Sequence, residues 1–268
     1  MILSGEYAVV FGYKGIAVPT EKFMTTARWE SGNHPMMIKL QGISGESGYI
    51  EHIVELCKKS GGPMTGTLTV TNSIPLGKGM GSSTAAVIAV GRCLLSVVGV
   101  HEPQLRDDAL VREKILAIED VINPGHSGLD FAVIWGNVPI CFQKGRPPCP
   151  MSHVPCPMDN AELIDTGSPD QTTPELVAWV TQRLAQGDTA VSKALQAIGD
   201  CTERLLKGES PFTVFPDHTQ AQIALGVVPP KVQELIEKIE AEGGVAKVLG
   251  AGGRSGGGGM VLKIGAPR

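Results

Sequence analysis

Three glycines at alternate positions, Gly77, Gly79 and Gly81, separate a predicted strand from a predicted helix. The strand spans 65–74, where threonines alternate with apolar residues, and the helix spans 82–98. Glycine has no Cβ atom, so alternate glycines let several backbone amides point into one concavity. The unpaired amides and the positive end of the dipole at the start of the helix add to the positive electrostatic potential in that concavity. The spacing therefore predicts an anion site of the kind that binds phosphate.

The same loop also admits a plainer interpretation, in which it is a tight turn and a serine caps the helix. Two familiar nucleotide motifs are excluded by the spacing. A Walker A loop has four residues between its first glycine and Gly-Lys-Ser/Thr, whereas Lys78 lies inside the glycine run. The dinucleotide fingerprint needs Gly-x-Gly-x-x-Gly, which alternate glycines do not provide.

The charge and composition argue against several other classes of partner. The 268 residues carry a formal net charge of -4 and only 4% are aromatic, whereas nucleic-acid-binding surfaces are usually basic and often aromatic. No apolar run reaches the roughly 18 residues that a membrane helix needs. The first residues show no basic segment followed by an apolar one, which favours a cytoplasmic protein.

The six cysteines do not suggest a disulfide scaffold in a chain of this length. Cys141, Cys149 and Cys156 cluster with His153 in a proline-rich stretch, but without the CxxC spacing of most zinc sites. We expect reduced thiols beside an irregular loop at 146–158, with a metal site as the minor alternative.

The remaining pattern mixes helices and strands. The sequence predicts further helices at 105–122, 173–187, 190–208 and 229–244, a strand at 161–167, and a strand, glycine loop and strand at 245–265. Because these elements lack a regular βαβ rhythm, they predict an α+β architecture. The irregular stretch at 146–158 is the candidate junction between two domains, at 1–150 and 151–268.

Three motifs resemble those of the GHMP kinases, the family named for galactokinase, homoserine kinase, mevalonate kinase and phosphomevalonate kinase. PLGKGMGSSTA at 75–85 resembles the glycine loop of the family, ILSGEYAVVFG at 2–12 its first motif, and VLGAGGRSGGGG at 248–259 its third. Within the family, the chain is most similar to the mevalonate kinase group. That similarity lies in GEYAVVFGYKGIAVP at 5–19, IEDVINPGHSGLDFAVIWGN at 118–137 and DTGSPDQTTPELV at 165–177.

The resemblance implies a two-domain fold, with an N-terminal domain like S5 domain 2 and a ferredoxin-like C-terminal domain. It implies a kinase that uses ATP and Mg²⁺ to phosphorylate a small-molecule hydroxyl, with mevalonate as the expected acceptor and 5-phosphomevalonate as the product, in isoprenoid biosynthesis. The implied partners are these small molecules and a second copy of the chain in a homodimer, with no nucleic acid or membrane.

The resemblance also assigns roles to residues. The ATP phosphates are assigned to Gly77, Lys78, Gly79, Gly81, Ser82, Ser83 and Thr84. The metal is assigned to Ser82 and Glu119, which suits Mg²⁺ because this ion takes few protein oxygens and keeps several waters. Asp130 is the expected catalytic residue. The acceptor is assigned to Glu6, Tyr7, Asp130, Thr173 and Gly252.

The chain departs from the mevalonate kinase pattern at three places. The lysine of a Pro-Gly-Lys segment upstream of the first motif is not found in this sequence. Either the start is truncated, or another cation takes its place beside Asp130, with Lys14 and Lys22 as candidates. Tyr7 stands where that group has a histidine. Arg254 and Ser255 interrupt the glycines of the third motif, and Arg254 is expected either to contact phosphate or to project into solvent.

Two alternatives to a mevalonate kinase stay open. The chain could be another kinase of the family, acting on phosphomevalonate or a sugar. It could also be a nucleotide-binding protein without kinase activity, which the missing lysine favours.

Overall fold

The computed structural model describes residues 1–42, 47–61, 64–99, 108–154, 156 and 160–266. Within these ranges helices and strands follow each other irregularly, and the predicted α+β class is confirmed. None of the helices in these ranges is long and apolar enough to cross a membrane. The chain divides into two compact units. The first comprises Met1–Pro19, Pro75–Met80 and His126–Arg268, and the second comprises Thr20–Ile74 and Gly81–Gly125.

The first unit contains two antiparallel sheets. One sheet has the order β1-β2-β6-β7 and consists of Ile2–Ser4, Lys14–Ala17, Ile140–Gln143 and Cys149–Pro150. The other has the order β8-β10-β9 and consists of Ala161–Asp165, Met260–Ile264 and Val245–Val248. A short 3-10 helix, Ala8–Phe11, follows β1 and brings the end of the first motif against the helices.

Five helices surround these sheets. They are α4 (Leu129–Gly136), α5 (Thr173–Ala185), α6 (Thr189–Leu206), α7 (Pro211–Leu225) and α8 (Pro230–Ala241). Helix α6 packs against α7, and α7 packs against β9. The apolar faces of α5, α6 and α7 bury Val180, Leu195 and Leu225 in one cluster, which also includes Tyr7. This cluster stabilises the unit by removing apolar surface from water.

The described residues of the second unit form one mixed sheet and three helices. The sheet has the order β3-β5-β4 and consists of Thr25–Pro35, Thr65–Asn72 and Met37–Gln41, with β4 parallel to β5. The helices are α1 (Ser47–Lys59), α2 (Ser82–Gly99) and α3 (Asp108–Ile122). Helix α2 packs against β3, α1 and α3, and Val87, Val90 and Leu94 on it are completely buried. Helix α2 is therefore part of the core of this unit.

Several predicted elements agree with the structure to within a few residues. These are β5, β8, β9, β10, α2, α3, α5, α6 and α8. Residues 105–107 of the predicted 105–122 helix lie outside the described residues. The expectation of irregular structure throughout 146–158 is wrong at Cys149–Pro150, because this pair forms β7 and Cys149 lies opposite Cys141 on β6.

Helix α7 has no counterpart among the predictions. Pro216 lies inside it, and proline is usually a sign that a helix has ended. Ser210 caps α7 by accepting a hydrogen bond from the amide of Phe212, and Pro211 occupies the first turn, where the missing amide costs nothing. The helix is therefore defined by its N-terminus and by burial rather than by a clear periodicity.

The compact units do not follow the order of the chain. The stretch Pro75–Met80 belongs to the first unit, although the residues on both sides of it belong to the second. The division at residue 150 was inferred from a proline-rich stretch rather than from backbone contacts, and it stays a prediction.

Candidate active site

The glycine loop has the conformation that its sequence demands. Gly77, Gly79 and Gly81 have φ angles of 66°, 75° and 70°, in the left-handed region that favours glycine. Space imposes a second constraint at Gly79, where a Cβ atom would lie 2.5 Å from the carbonyl oxygen of Leu249. Gly79 is required both by its backbone conformation and by its close approach to the third motif.

The first turn of α2 is bonded to a buried carboxylate. Thr84 Oγ1 donates a hydrogen bond of 2.7 Å to Oε1 of Glu119, which lies on α3, and both residues are buried. This bond brings Glu119 to the helix terminus that begins at Ser82. A carboxylate and a hydroxyl are hard oxygen donors, so the residues present fit Mg²⁺. Their joint role as ligands stays a prediction.

The hydroxyl of Ser83 is already engaged within the second unit. Ser83 Oγ donates to Oδ1 of Asn123 at 2.7 Å and lies 2.7 Å from the phenol oxygen of Tyr49. Tyr49 also donates to the carbonyl oxygen of Ser83. The side chain of Ser83 therefore already has polar partners, and its role toward phosphate stays a prediction.

Lys78 of the glycine loop is paired with a carboxylate of the same unit. Its Nζ lies 2.5 Å from Oδ1 of Asp165, the last residue of β8. The hydrogen bond from Lys78, together with one from the backbone amide of Gly167, lowers the pKa of Asp165. Asp165 would thus compete with phosphate for the ammonium group.

Asp130 lies in the first turn of α4, after Gly128. Leu129 and Phe131 on either side of it are buried, and Asp130 itself is half-buried. Burial raises the pKa of Asp130; the Met1 ammonium lowers it in part, the charge of Glu6 adds to the rise, and His126 offsets some of it. A raised pKa suits a group that must accept a proton near neutral pH.

The two lysines that were candidates for neutralising Asp130 have other neighbours. Lys14 Nζ lies 2.9 Å from a carboxylate oxygen of Glu203 on α6, so the first candidate is engaged elsewhere. Lys22 belongs to the second unit, where its ammonium lies 5.7 Å from the centre of the Phe23 ring.

Glu6, which follows β1, belongs to a buried cluster of ionisable side chains. It is 2% exposed and forms an ion pair with Lys247 of β9, whose side chain is 0% exposed. Nε2 of His218 on α7 lies 3.3 Å from the other carboxylate oxygen. Burial alone would raise the pKa of Glu6, but the charge of Lys247 and the contact with His218 outweigh it and lower the pKa. Glu6 is therefore ionised at neutral pH.

Tyr7 turns its hydroxyl into the protein. The residue is 4% exposed and has a φ of 59°, which is rare for a residue with a bulky side chain. Its phenol donates a hydrogen bond of 2.5 Å to the carbonyl oxygen of Ala251 in the third motif. Burial and the neighbouring charge of Glu6 raise the pKa of Tyr7, so the hydroxyl keeps its proton.

The third glycine loop is held by the segment that follows β8. The amides of Gly257 and Gly259 donate to the carbonyl oxygens of Ser168 and Gly167, at 2.8 and 3.0 Å. The amide of Gly253 donates to the carbonyl oxygen of Val227 at 2.9 Å. These amides already have partners, so the loop acts as a packing element along this stretch.

Arg254 is exposed, and its side chain also lies against an aromatic ring. Its guanidinium carbon lies 4.3 Å from the centre of the Trp179 ring on α5, where the planar cation stacks on the aromatic face. The backbone amide of Arg254 already has a partner, because it donates a hydrogen bond of 2.9 Å to Oε1 of Gln171. The insertion thus fastens the third loop to the start of α5.

The two remaining acceptor residues are Thr173 on α5 and Gly252 within the third loop. Thr173 is exposed at the first residue of α5, whose capping residue is Thr172. Gly252 has a φ of 63° and approaches the carbonyl oxygen of Val227 so closely that a Cβ atom would collide with it. Contact of Thr173 and Gly252 with the acceptor stays a prediction.

Sequence reasoning missed Lys247 and His218. The signal for Lys247 was present, since a lysine within the apolar stretch of β9 must be buried and therefore needs a carboxylate. His218 gave no such signal, because the helix that carries it was not predicted.

The proline-rich stretch offers no metal centre among the residues that the structure describes. All six cysteines are free thiols, and the described part of the chain contains no group of three or more side chains arranged to hold a metal ion.

Known proteins resemble this chain in both sequence and fold. A model of the GHMP kinases N terminal domain matches residues 48–137, which include the glycine loop, Glu119 and Asp130. This stretch of the chain is therefore a GHMP kinase N-terminal domain. The first and third motifs lie outside the matched residues, and both occur here in the family order.

The similarity to individual GHMP kinases extends beyond the matched domain. A mevalonate kinase of Pyrococcus abyssi is 26% identical over 293 residues, which cover 94% of this chain and 84% of that protein. Relatives in a fungus and in cattle carry the same name.

The fold extends further across the family. The crystal structure of the Methanococcus jannaschii mevalonate kinase has a TM-score of 0.71 at 18% identity, covering 99% of this chain and 88% of that one. The Lactococcus lactis galactokinase complexed with galactose has a TM-score of 0.66 at 13% identity, covering 99% and 83%. The fold therefore does not select the acceptor.

Proposed function

We propose that this protein transfers the γ-phosphoryl group of ATP to the hydroxyl of mevalonate, forming 5-phosphomevalonate and ADP in isoprenoid biosynthesis. The observation that carries the proposal is the left-handed glycine loop followed directly by a helix whose first turn is bonded to the buried carboxylate of Glu119. Mevalonate is favoured as the acceptor because the relatives that share 94% of the chain carry that activity in their names.

The loop and the start of α2 would bind the phosphates of ATP. The proposed set is Gly77, Lys78, Gly79, Gly81, Ser82, Ser83 and Thr84. Backbone amides and the helix dipole are suited to this, since phosphoryl transfer needs positioning and charge stabilisation more than covalent chemistry. Lys78 would exchange Asp165 for a phosphate oxygen when the nucleotide binds.

Ser82 and Glu119 would hold Mg²⁺. The bound ion would neutralise charge on the phosphate oxygens. Thr84 supports this arrangement by donating to Oε1 of Glu119, which restricts the carboxylate to one orientation.

Asp130 would accept the proton of the acceptor hydroxyl. As the hydroxyl oxygen forms its bond to the γ-phosphorus, the bond from that phosphorus to the bridging oxygen of ADP breaks, and the hydroxyl proton passes to the carboxylate. The raised pKa of Asp130 makes it a stronger base than an exposed aspartate. Thr173 and Gly252 would border the acceptor. The resemblance also assigned Glu6 and Tyr7 to the acceptor, but the polar groups of both already lie against buried partners.

The test is a coupled assay of ADP release with ATP, Mg²⁺ and one acceptor at a time. Mevalonate should be phosphorylated, while phosphomevalonate and galactose should not. Turnover of phosphomevalonate or galactose alone would leave a family kinase with a different acceptor. ATP binding at equilibrium without turnover of any acceptor would instead favour a nucleotide-binding protein.

A cytoplasmic location and assembly into a homodimer complete the proposal and stay predictions. Analytical ultracentrifugation of the purified chain would decide the second of them.

A further inference from the structure

Two consecutive residues of the first motif contact β9 and the third motif that follows it. Glu6 pairs with Lys247, and Tyr7 donates to the carbonyl oxygen of Ala251. The two partners flank Gly250, so both contacts act on the start of the third glycine loop. All of these residues belong to the first compact unit.

The same part of the third loop supports the phosphate loop. Gly250 approaches Gly79 so closely that a Cβ atom on Gly250 would lie 2.6 Å from the Cα of Gly79. The amide of Met260, at the far end of the third loop, donates to the carbonyl oxygen of Lys78 at 3.1 Å. A shift of Ala251 would therefore displace the backbone of Gly250 against Gly79, because close-packed atoms transmit small movements.

Direct contact with the acceptor does not suit the geometry of Glu6 and Tyr7. Glu6 is 2% exposed, and both of its carboxylate oxygens lie against other side chains, those of Lys247 and His218. The hydroxyl of Tyr7 is already bonded at 2.5 Å. An acceptor could reach either polar group only by breaking a buried contact.

We propose that Glu6 and Tyr7 are positioning residues for the nucleotide site rather than contacts for the acceptor. Through Lys247 and Ala251 they hold the third loop in place, and that loop holds the backbone of Gly79 in its left-handed conformation. The inference rests on the proposed function to the extent that Gly79 belongs to the ATP-binding loop. The unusual φ of Tyr7 is the local strain that this arrangement maintains.

The test is the Tyr7→Phe variant of the full chain, which keeps the buried ring and removes only the bonded hydroxyl. Isothermal titration calorimetry measures the Kd of ATP with Mg²⁺ and, separately, the Kd of mevalonate. We expect the Kd of ATP to rise about three- to tenfold, the effect of one hydrogen bond, and the Kd of mevalonate to stay unchanged. Tyr13→Phe, at an exposed tyrosine, is the matched control and should change neither constant.

Other results would overturn the inference. A weaker affinity for mevalonate with unchanged affinity for ATP would make Tyr7 an acceptor contact. Unchanged affinity for both ligands would show that the hydroxyl positions nothing. Equal weakening of both, with a lower melting temperature, would show a general loss of stability. A wild-type protein that binds ATP but not mevalonate would contradict the proposed acceptor. The Kd of ATP for the wild type and for Tyr7→Phe would still decide whether Tyr7 is a positioning residue.

Discussion

The two compact units each bury a glutamate, but they stabilise it in different ways. Glu119 in the second unit accepts a hydrogen bond from the neutral hydroxyl of Thr84. Glu6 in the first unit faces a full positive charge on Lys247 and the ring of His218, and all three side chains are completely or almost completely buried.

The difference indicates what each carboxylate is suited for. A glutamate oriented by a hydroxyl presents a hard oxygen donor in a restricted position, which suits a group that would bind a cation. A glutamate paired with a buried lysine has its charge neutralised and its position restricted, which suits a structural contact. Substitutions in the two regions should therefore affect different measurements.

The largest effect should come from Lys247→Met, which leaves the Glu6 charge buried without its partner. The free energy of unfolding should fall by about 3–5 kcal/mol, as measured by urea denaturation. The double variant Glu6→Gln/Lys247→Met should recover much of this loss, because it removes both charges. Lys263→Met breaks a partly exposed pair with Glu162 and should cost less than about 1 kcal/mol. Similar losses for the two lysines would contradict the contrast between buried and exposed pairs.

Asp130→Asn should lower kcat by roughly 10²-fold or more and leave the Kd of ATP unchanged, because the amide cannot accept the hydroxyl proton. Steady-state kinetics with calorimetry would measure both constants. Asp200→Asn, at an exposed position on α6, is the control and should retain full turnover. Near-normal kcat in Asp130→Asn would remove this residue from the mechanism.

Thr84→Val should raise the Mg²⁺ concentration for half-maximal activity about tenfold, because Glu119 loses the hydrogen bond that orients it. A Mg²⁺ titration of initial rates would measure the change. Thr84→Ser keeps a hydroxyl and should behave like the wild type. Equal Mg²⁺ requirements in the valine and serine variants would show that the hydrogen bond does not prepare a metal site.

The smallest effect should appear in the pH dependence of stability. Burial lowers the pKa of His218 below its ordinary value of 6.5, and the charge of Lys247 lowers it further. The unfolded chain therefore takes up a proton near pH 6.5 while the folded chain does not, and stability is lost as the pH falls. Between pH 6.5 and 5.5 this loss should be about 1 kcal/mol.

His218→Asn should remove that part of the loss, as followed by urea denaturation at the two pH values. The raised pKa of Asp130 acts in the opposite direction, but it is common to both proteins and cancels in the difference. His52→Asn, at an exposed position on α1, is the control. An unchanged pH dependence in His218→Asn would mean that His218 is protonated in the folded state as readily as in the unfolded chain.

Much of the fold could be predicted from local patterns. Helices such as α3 and α6 repeat apolar residues at helical spacing, and β5 alternates threonine with apolar residues, so one segment contains the whole signal. Helix α7 could not be found in this way, because Pro216 interrupts it and its burial depends on α6 and β9.

Local patterns likewise predicted some parts of the candidate site and not others. The glycine spacing predicted the loop, and the motif at 118–137 drew attention to Glu119. The left-handed φ angles of the three glycines agree with the first of these predictions. The engagement of Lys78 by Asp165 could not be foreseen, because 87 residues separate them and no local pattern relates a loop lysine to the end of a strand.

The sequence by itself determined the α+β class, the family and the loop suited to phosphate, because each depends on residue types at short, regular spacings. Only the tertiary structure decided which polar groups face each other. Glu6 meets Lys247 across 241 residues, and Tyr7 meets Ala251 across 244. Such pairings arise when separate elements bury their apolar faces together, since any charge carried inward must then find a partner or remain costly.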